Sequence, residues 1–125
     1  MDYEITMGEG RTQINLHAFH MGNDIVMRIF NKNAHIGAVA LGEYDFEHQR
    51  ASVSVMTRLG HKDDIIARKA AYAISKSARK AVCVIVGVHL ENITQAEIDQ
   101  ILENGELVSK AFIKNMHEVM PQACF

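Results

Sequence analysis

Apolar and polar positions alternate with a period of two along most of residues 3–57, the pattern of strands with one covered face. Tyr3–Met7 predicts a short first strand, closed by Gly8-Glu9-Gly10. Within Thr12–His20, Ile14, Leu16 and Ala18 fall on one side, and Gln13, Asn15 and His17 on the other. After the turn Gly22-Asn23-Asp24, Ile25, Met27 and Ile29 continue the alternation against Val26, Arg28 and Phe30. Asn31-Lys32-Asn33 is a polar loop, followed by expected strands at Ile36–Leu41 and Ala51–Thr57, joined around Gly42–Arg50. Connections this short favour an antiparallel meander, because parallel neighbours need a crossover of about a dozen residues or more.

The period changes at residue 63. Ile66, Ala70, Ala73, Ile74 and Ala81 follow a 3.6-residue spacing and predict a helix over Asp63–Lys80. Asp63 and Asp64 stand at its positive end and Arg79 and Lys80 at its negative end, as the macrodipole favours. Val82–Leu90 is apolar at nearly every position, which predicts a central strand covered on both faces. Thr94-Gln95-Ala96-Glu97 has capping-box spacing and opens a helix to about Glu103, which Asn104-Gly105 is expected to end. A third helix is expected over Glu106–Val119. The expected architecture is α+β: a mostly antiparallel sheet packed by two to three helices.

Composition narrows the class. A chain of 125 residues with 48% hydrophobic and 22% charged residues is one globular domain, 1–125, able to bury a core unaided. A net charge of -2 argues against a nucleic-acid binder that relies on a basic field. The longest apolar stretch, Ala81–Val88, is far shorter than the ~18–20 residues of a membrane span. The start, Met1-Asp2-Tyr3-Glu4, has neither the charged nor the apolar region of an export signal, so a cytoplasmic domain is expected. Cys83 and Cys124 cannot make a disulfide framework. Seven methionines point to an adaptable core or contact surface.

Several chemical motifs fail on geometry. Gly8-x-Gly10 lacks the third glycine and the helix of a dinucleotide fingerprint. His17 and His20 are three apart on a strand and so face opposite ways. His117-Glu118 has Pro121 where a zinc-binding helix needs its second histidine. Nothing near Cys83 in the sequence marks a reactive thiolate. The cations Arg68, Lys69, Lys76, Arg79 and Lys80 read as a solvated helix face, with an acidic partner as the alternative.

Three segments pass that screen. In Asn33-Ala34-His35-Ile36-Gly37, a histidine stands at a loop-to-strand junction and a glycine permits close backbone approach. Arg58-Leu59-Gly60-His61-Lys62-Asp63 is a basic turn into a helix, where free amides could hold a phosphate or carboxylate. In Gly87-Val88-His89-Leu90-Glu91-Asn92, a polar cluster follows an apolar strand, a common ligand position at strand carboxyl ends. Each histidine alone reads as structural. Together they mark a candidate site, for which metal chelation has no ligand spacing in support. Glu91 beside His89 is the nearest thing to an acid–base pair, so an enzyme is the weakest of the readings.

His35-Ile36-Gly37-Ala38-Val39, Gly60-His61-Lys62-Asp63 opening a helix, and Gly87-Val88-His89 followed by Ile93-Thr94 resemble the small D subunit of gallate-type decarboxylases, a prenylated-flavin-chaperone-like family. The resemblance covers roughly residues 30–100, and Ala34 stands where family members often have proline. It implies a non-catalytic accessory protein that binds or delivers prenylated flavin mononucleotide, or the ordinary flavin, for a large decarboxylase subunit. It also implies a fold similar to proteasome-assembly-chaperone domains and a homodimer. On this reading the amides at the helix start, with His61 and Lys62, hold the flavin phosphate, His35 and His89 bond the polar edge of the ring, Gly37 and Gly87 leave room for it, and Arg58 belongs to the same cofactor-binding set. No catalytic residue and no metal ligand is implied. The alternative is a homo-oligomeric interaction module with no small-molecule ligand.

Overall fold

In the computed structural model, residues 3–58 and 63–119 are described. Six strands and two helices follow in the order β1 (Tyr3–Met7), β2 (Ile14–Met21), β3 (Asp24–Phe30), β4 (Ala38–Asp45), β5 (Arg50–Thr57), α1 (Asp64–Ala78), β6 (Val82–Gly87) and α2 (Gln95–Val119). The α+β expectation holds. The sheet order is β1-β2-β3-β6-β4-β5, with every pair antiparallel except β3 and β6.

The simple meander is therefore broken at its centre. β3 and β4 are not neighbours; β6 lies between them, parallel to β3 and antiparallel to β4. The most apolar strand takes the central place because it has the most to gain from cover. Val82, Val84 and Val86 are completely buried under the helices, together with Ile14, Leu16, Ile25, Met27 and Ile29. The cover is one-sided, however. Cys83 and Ile85, on the other face of β6, are only half-buried, so β6 is not enclosed on both faces as its composition suggested.

Two further expectations are corrected. Asn104-Gly105 does not end a helix, and one helix of 25 residues replaces the expected pair. Both residues make packing contacts instead. Asn104, buried inside the domain, donates from Nδ2 to the Thr12 carbonyl at 2.9 Å and accepts from Gln100 Nε2 at 3.0 Å. A Cβ on Gly105 would press on Ile66 of α1, so glycine's low helix propensity is offset by a close helix–helix approach. The strand expected to reach Leu90 stops at Gly87, where the backbone leaves the sheet. Similarly, β4 runs on to Asp45 because Gly42 lies inside it, with its bare Cα against the Ala71 carbonyl of α1.

The N-terminus of α2 follows the capping-box reading. The Glu97 amide donates to Thr94 Oγ1 at 3.1 Å, and the Thr94 amide donates to Glu97 Oε1 at 3.0 Å. Among the described residues, no helix is long and apolar enough to cross a membrane.

Candidate functional site

Strand polarity gathers the described parts of the three singled-out segments at one end of the sheet. Because β3 and β6 are parallel, both finish there, while β4 begins there and β5 ends there. The Gly37 amide donates to the Val86 carbonyl at 2.8 Å, and the Arg58 amide donates to the Gly37 carbonyl at 2.8 Å. Arg58 also clamps the loop through its guanidinium, which donates to the Ile36 carbonyl at 2.9 Å. His35, Gly37, Arg58, Gly87 and His89 are thus brought to one place. Gly60, His61 and Lys62 lie outside the described residues.

The two described histidines meet directly. The ring centroids of His35 and His89 are 5.4 Å apart, tilted by 39°. His89 Nε2 lies 3.0 Å from Glu91 Oε1, so the pair suggested by adjacency in sequence is formed, at an exposed position. Both glycines are required by close approach. A Cβ on Gly87 would overlap the His35 carbonyl, and one on Gly37 would overlap the Asp63 carboxylate.

Two residues to which sequence reasoning gave no ligand or bonding role build this end. Asn31, placed in a polar loop by its neighbours, is buried and holds His89 by its backbone. Its Nδ2 donates to the His89 carbonyl at 2.8 Å, and its Oδ1 accepts the His89 amide at 3.0 Å. With the Asn31 amide donating to the Gly87 carbonyl, the side chain prolongs the β3–β6 pairing by one step beyond the strands. Asp63, read as a helix-dipole residue, is buried, and its Oδ2 accepts the Val88 amide at 3.4 Å. No local signal marks these roles, because the partner of each lies far along the chain: 58 residues for Asn31 and His89, and 25 for Asp63 and Val88.

Behind the histidines lies a hollow of about 460 Å³. Its polar wall is His35, Asp63 and His89; the rest is aliphatic, including Leu90, Ile93, Ile98 and Leu102. That volume falls in the ~300–1,000 Å³ range of small-molecule sites, and an apolar wall with a few converging polar groups is their usual make-up. Leu102 and Ile66 also line a larger groove of about 750 Å³ between α1 and α2. On the other side, His35 borders a basic hollow of about 350 Å³ with Arg28, Lys32 and Phe30.

The segment that forms the mouth of the aliphatic hollow is tied down from outside. Arg11 donates from Nη2 to the Glu91 carbonyl at 2.8 Å and from Nε to Glu97 Oε2 at 2.7 Å. The Arg11 guanidinium, with the Thr94 amide, holds the Glu97 carboxyl down at about 2. Elsewhere, Asp45, Glu47 and His48 cluster at the β4–β5 turn, where Asp45 already accepts the amides of Glu47 and His48. That cluster is accounted for by the turn.

The α+β fold has a counterpart among solved structures. The solved structure titled as a novel chaperone complex for yeast 20S proteasome assembly is similar in fold, with a TM-score of 0.59 over 94% of this chain and 96% of that one. At 14% identity the likeness is one of fold alone. No curated protein matches the chain. The family model described as the prenylated flavin chaperone LpdD-like domain matches residues 8–117, well beyond the blocks at residues 30–100 that carry the resemblance. The chain belongs to the prenylated flavin chaperone LpdD-like family.

Proposed function

We propose that this protein is a non-catalytic, cytoplasmic accessory factor that binds prenylated flavin mononucleotide at the end of the sheet marked by His35, Gly37, Arg58, Gly87 and His89, and delivers it to a large decarboxylase subunit. The observation that carries the reading is the contact of His35 with His89 over a ligand-sized aliphatic hollow, in a chain of this family. The imidazoles can donate to or accept from the polar edge of a flavin. The two glycines keep the backbone crossing thin beside it. Arg58, with His61 and Lys62 between it and Asp63 in the chain, supplies positive charge for the phosphate. Titration with flavin mononucleotide and its prenylated form is expected to saturate. A His35→Ala/His89→Ala variant that binds both as well as the unaltered protein does would refute the site, and unchanged affinity in His61→Ala/Lys62→Ala would refute the phosphate assignment.

A second reading, a homodimeric interaction module, is favoured by the uncovered face of the sheet. Phe19, Val26, Cys83 and Leu41 lie in one row across β2, β3, β6 and β4, and among the described residues no helix packs on them. Leu41 is 53% exposed and Met56 on β5 is 73% exposed. An apolar row of this length is a contact surface for a second copy or for the large subunit. Sedimentation of Leu41→Glu separates the cases: a dimer that persists in the variant does not use this face.

A further inference from the structure

We infer that the aliphatic hollow behind His35 and His89 is the subsite for the isoprenoid-derived part of the modified flavin, and that Ile93 and Ile98 are the residues by which the protein prefers the prenylated over the ordinary cofactor. The inference rests on the flavin reading above and adds to it where on the protein the discrimination is made.

The wall chemistry carries the argument. Among the described residues, ten line the hollow: seven branched aliphatics, the two imidazoles of His35 and His89, and Asp63, with no phenylalanine, tyrosine or tryptophan. An unmodified isoalloxazine presents ring nitrogens and carbonyls at its polar end, for which a wall of isoleucine and leucine has no hydrogen bond, and only the methyl groups of its benzenoid end match that wall. Methyl groups derived from an isoprenoid match such a wall in shape and in polarity, gaining free energy with each apolar group taken out of water. The three polar residues all stand at the sheet end of the hollow, so a ligand held there by its polar edge directs its apolar part toward α2.

Ile93 is the telling position. It is 40% exposed, on the segment between β6 and α2, and faces a hollow rather than the core. A large aliphatic on an exposed connection is ordinary when the connection is free to move. This one is fixed on both sides, by Arg11 on the Glu91 carbonyl and by the Thr94–Glu97 capping box. Ile98, one turn into α2, completes the wall from the helix side. Holding the two side chains in place before the ligand arrives removes ordering cost from binding, which is how a small apolar difference becomes a usable preference.

The test is calorimetric titration of the full chain with flavin mononucleotide and with its prenylated form, on the unaltered protein, on Ile93→Ser, on Ile93→Ser/Ile98→Ser and on Ile98→Val. A preference of about tenfold or more for the prenylated form is expected, as for a few methyl groups in a fitted apolar pocket. Ile93→Ser/Ile98→Ser should bring the ratio to within about threefold of unity while affinity for ordinary flavin mononucleotide changes little, and Ile98→Val should keep most of the preference. Ile93→Ser alone, at an exposed position with little risk to folding, should already lower the ratio. Equal affinity for the two forms in the unaltered protein overturns the inference and leaves the flavin site standing, as does a full preference in a folded double variant. Failure of the unaltered protein to bind either form overturns the flavin reading itself, and the subsite with it.

Discussion

The two faces of the sheet start from the same kind of sequence and end differently. On β2, β3 and β6, one face carries Ile14, Leu16, Ala18, Ile25, Met27, Ile29, Val82, Val84 and Val86, all essentially inaccessible, with His20 near the end of β2 as its polar exception. The opposite face carries Phe19, Val26, Cys83 and Ile85 mixed with His17 and Arg28, and among the described residues no helix reaches it. There Arg28 stacks over Phe30 at 5.0 Å and meets His17 Nδ1 at 2.9 Å, so the open face is partly organised by polar and aromatic contacts. Periodicity therefore identifies which residues share a face. It takes the placement of α1 and α2 to decide which face becomes the core.

Substitutions can break this comparison, beginning with the core. Phe112 of α2 is completely buried and meets the Tyr3 ring edge-on at 5.3 Å. Phe112→Ala is expected to cost about 3–5 kcal/mol in urea unfolding, the lost transfer energy plus the cavity left behind. A cost below about 1 kcal/mol would mean that the covered face is far looser than its burial indicates.

Next comes the edge where the faces meet. Gly87→Ala sets a methyl against the backbone carbonyl of His35, which cannot turn aside as a flexible side chain would. About 1–3 kcal/mol of stability should be lost, with His35 displaced from His89 and flavin affinity falling alongside. Unchanged stability together with unchanged affinity would show that the 33–37 loop does not need its present path.

Arg11→Ala tests the outer tie on α2, and its effect should depend on pH. Glu97 is held at about 2, below its ordinary 4.5, by Arg11 first and by the Thr94 amide next. A folded-state value below the unfolded one means that stability from this carboxylate is complete above about pH 4.5 and is lost as pH falls toward 2. The stability gap between the unaltered protein and Arg11→Ala should accordingly narrow over that interval. A gap that stays constant with pH would assign the tie to the Glu91 carbonyl instead.

The smallest effect is expected on the open face. Leu41→Glu should change monomer stability by no more than about 0.5 kcal/mol, because the side chain is already in water. If it destabilises as much as a core substitution does, the face is covered in solution.

How much of the site was legible follows from how local each feature is. His35, Gly37, Arg58, Gly87 and His89 could be singled out because each is a polar or glycine residue at an element end, which is a property of neighbouring residues. Asn31 and Asp63 could not, since the value of each lies in a partner far along the chain: Asn31 bonds His89, and Asp63 bonds Val88. The same reason explains the misread helix break. Asn104-Gly105 is a stop signal by local propensity, and it is overruled by Thr12 and Ile66, which only the fold brings near.

What the sequence determined by itself, then, is the set of strands, the helix α1, the capped start of α2 and the residues that share each face, because these depend on dihedral preference and hydrophobic period within a few neighbours. The tertiary structure alone decided that β6 enters between β3 and β4. That insertion is a long-range pairing chosen by which strand has most apolar surface to bury. It makes the one parallel pair, sends the ends of β3 and β6 to the same side, and so sets His35 against His89.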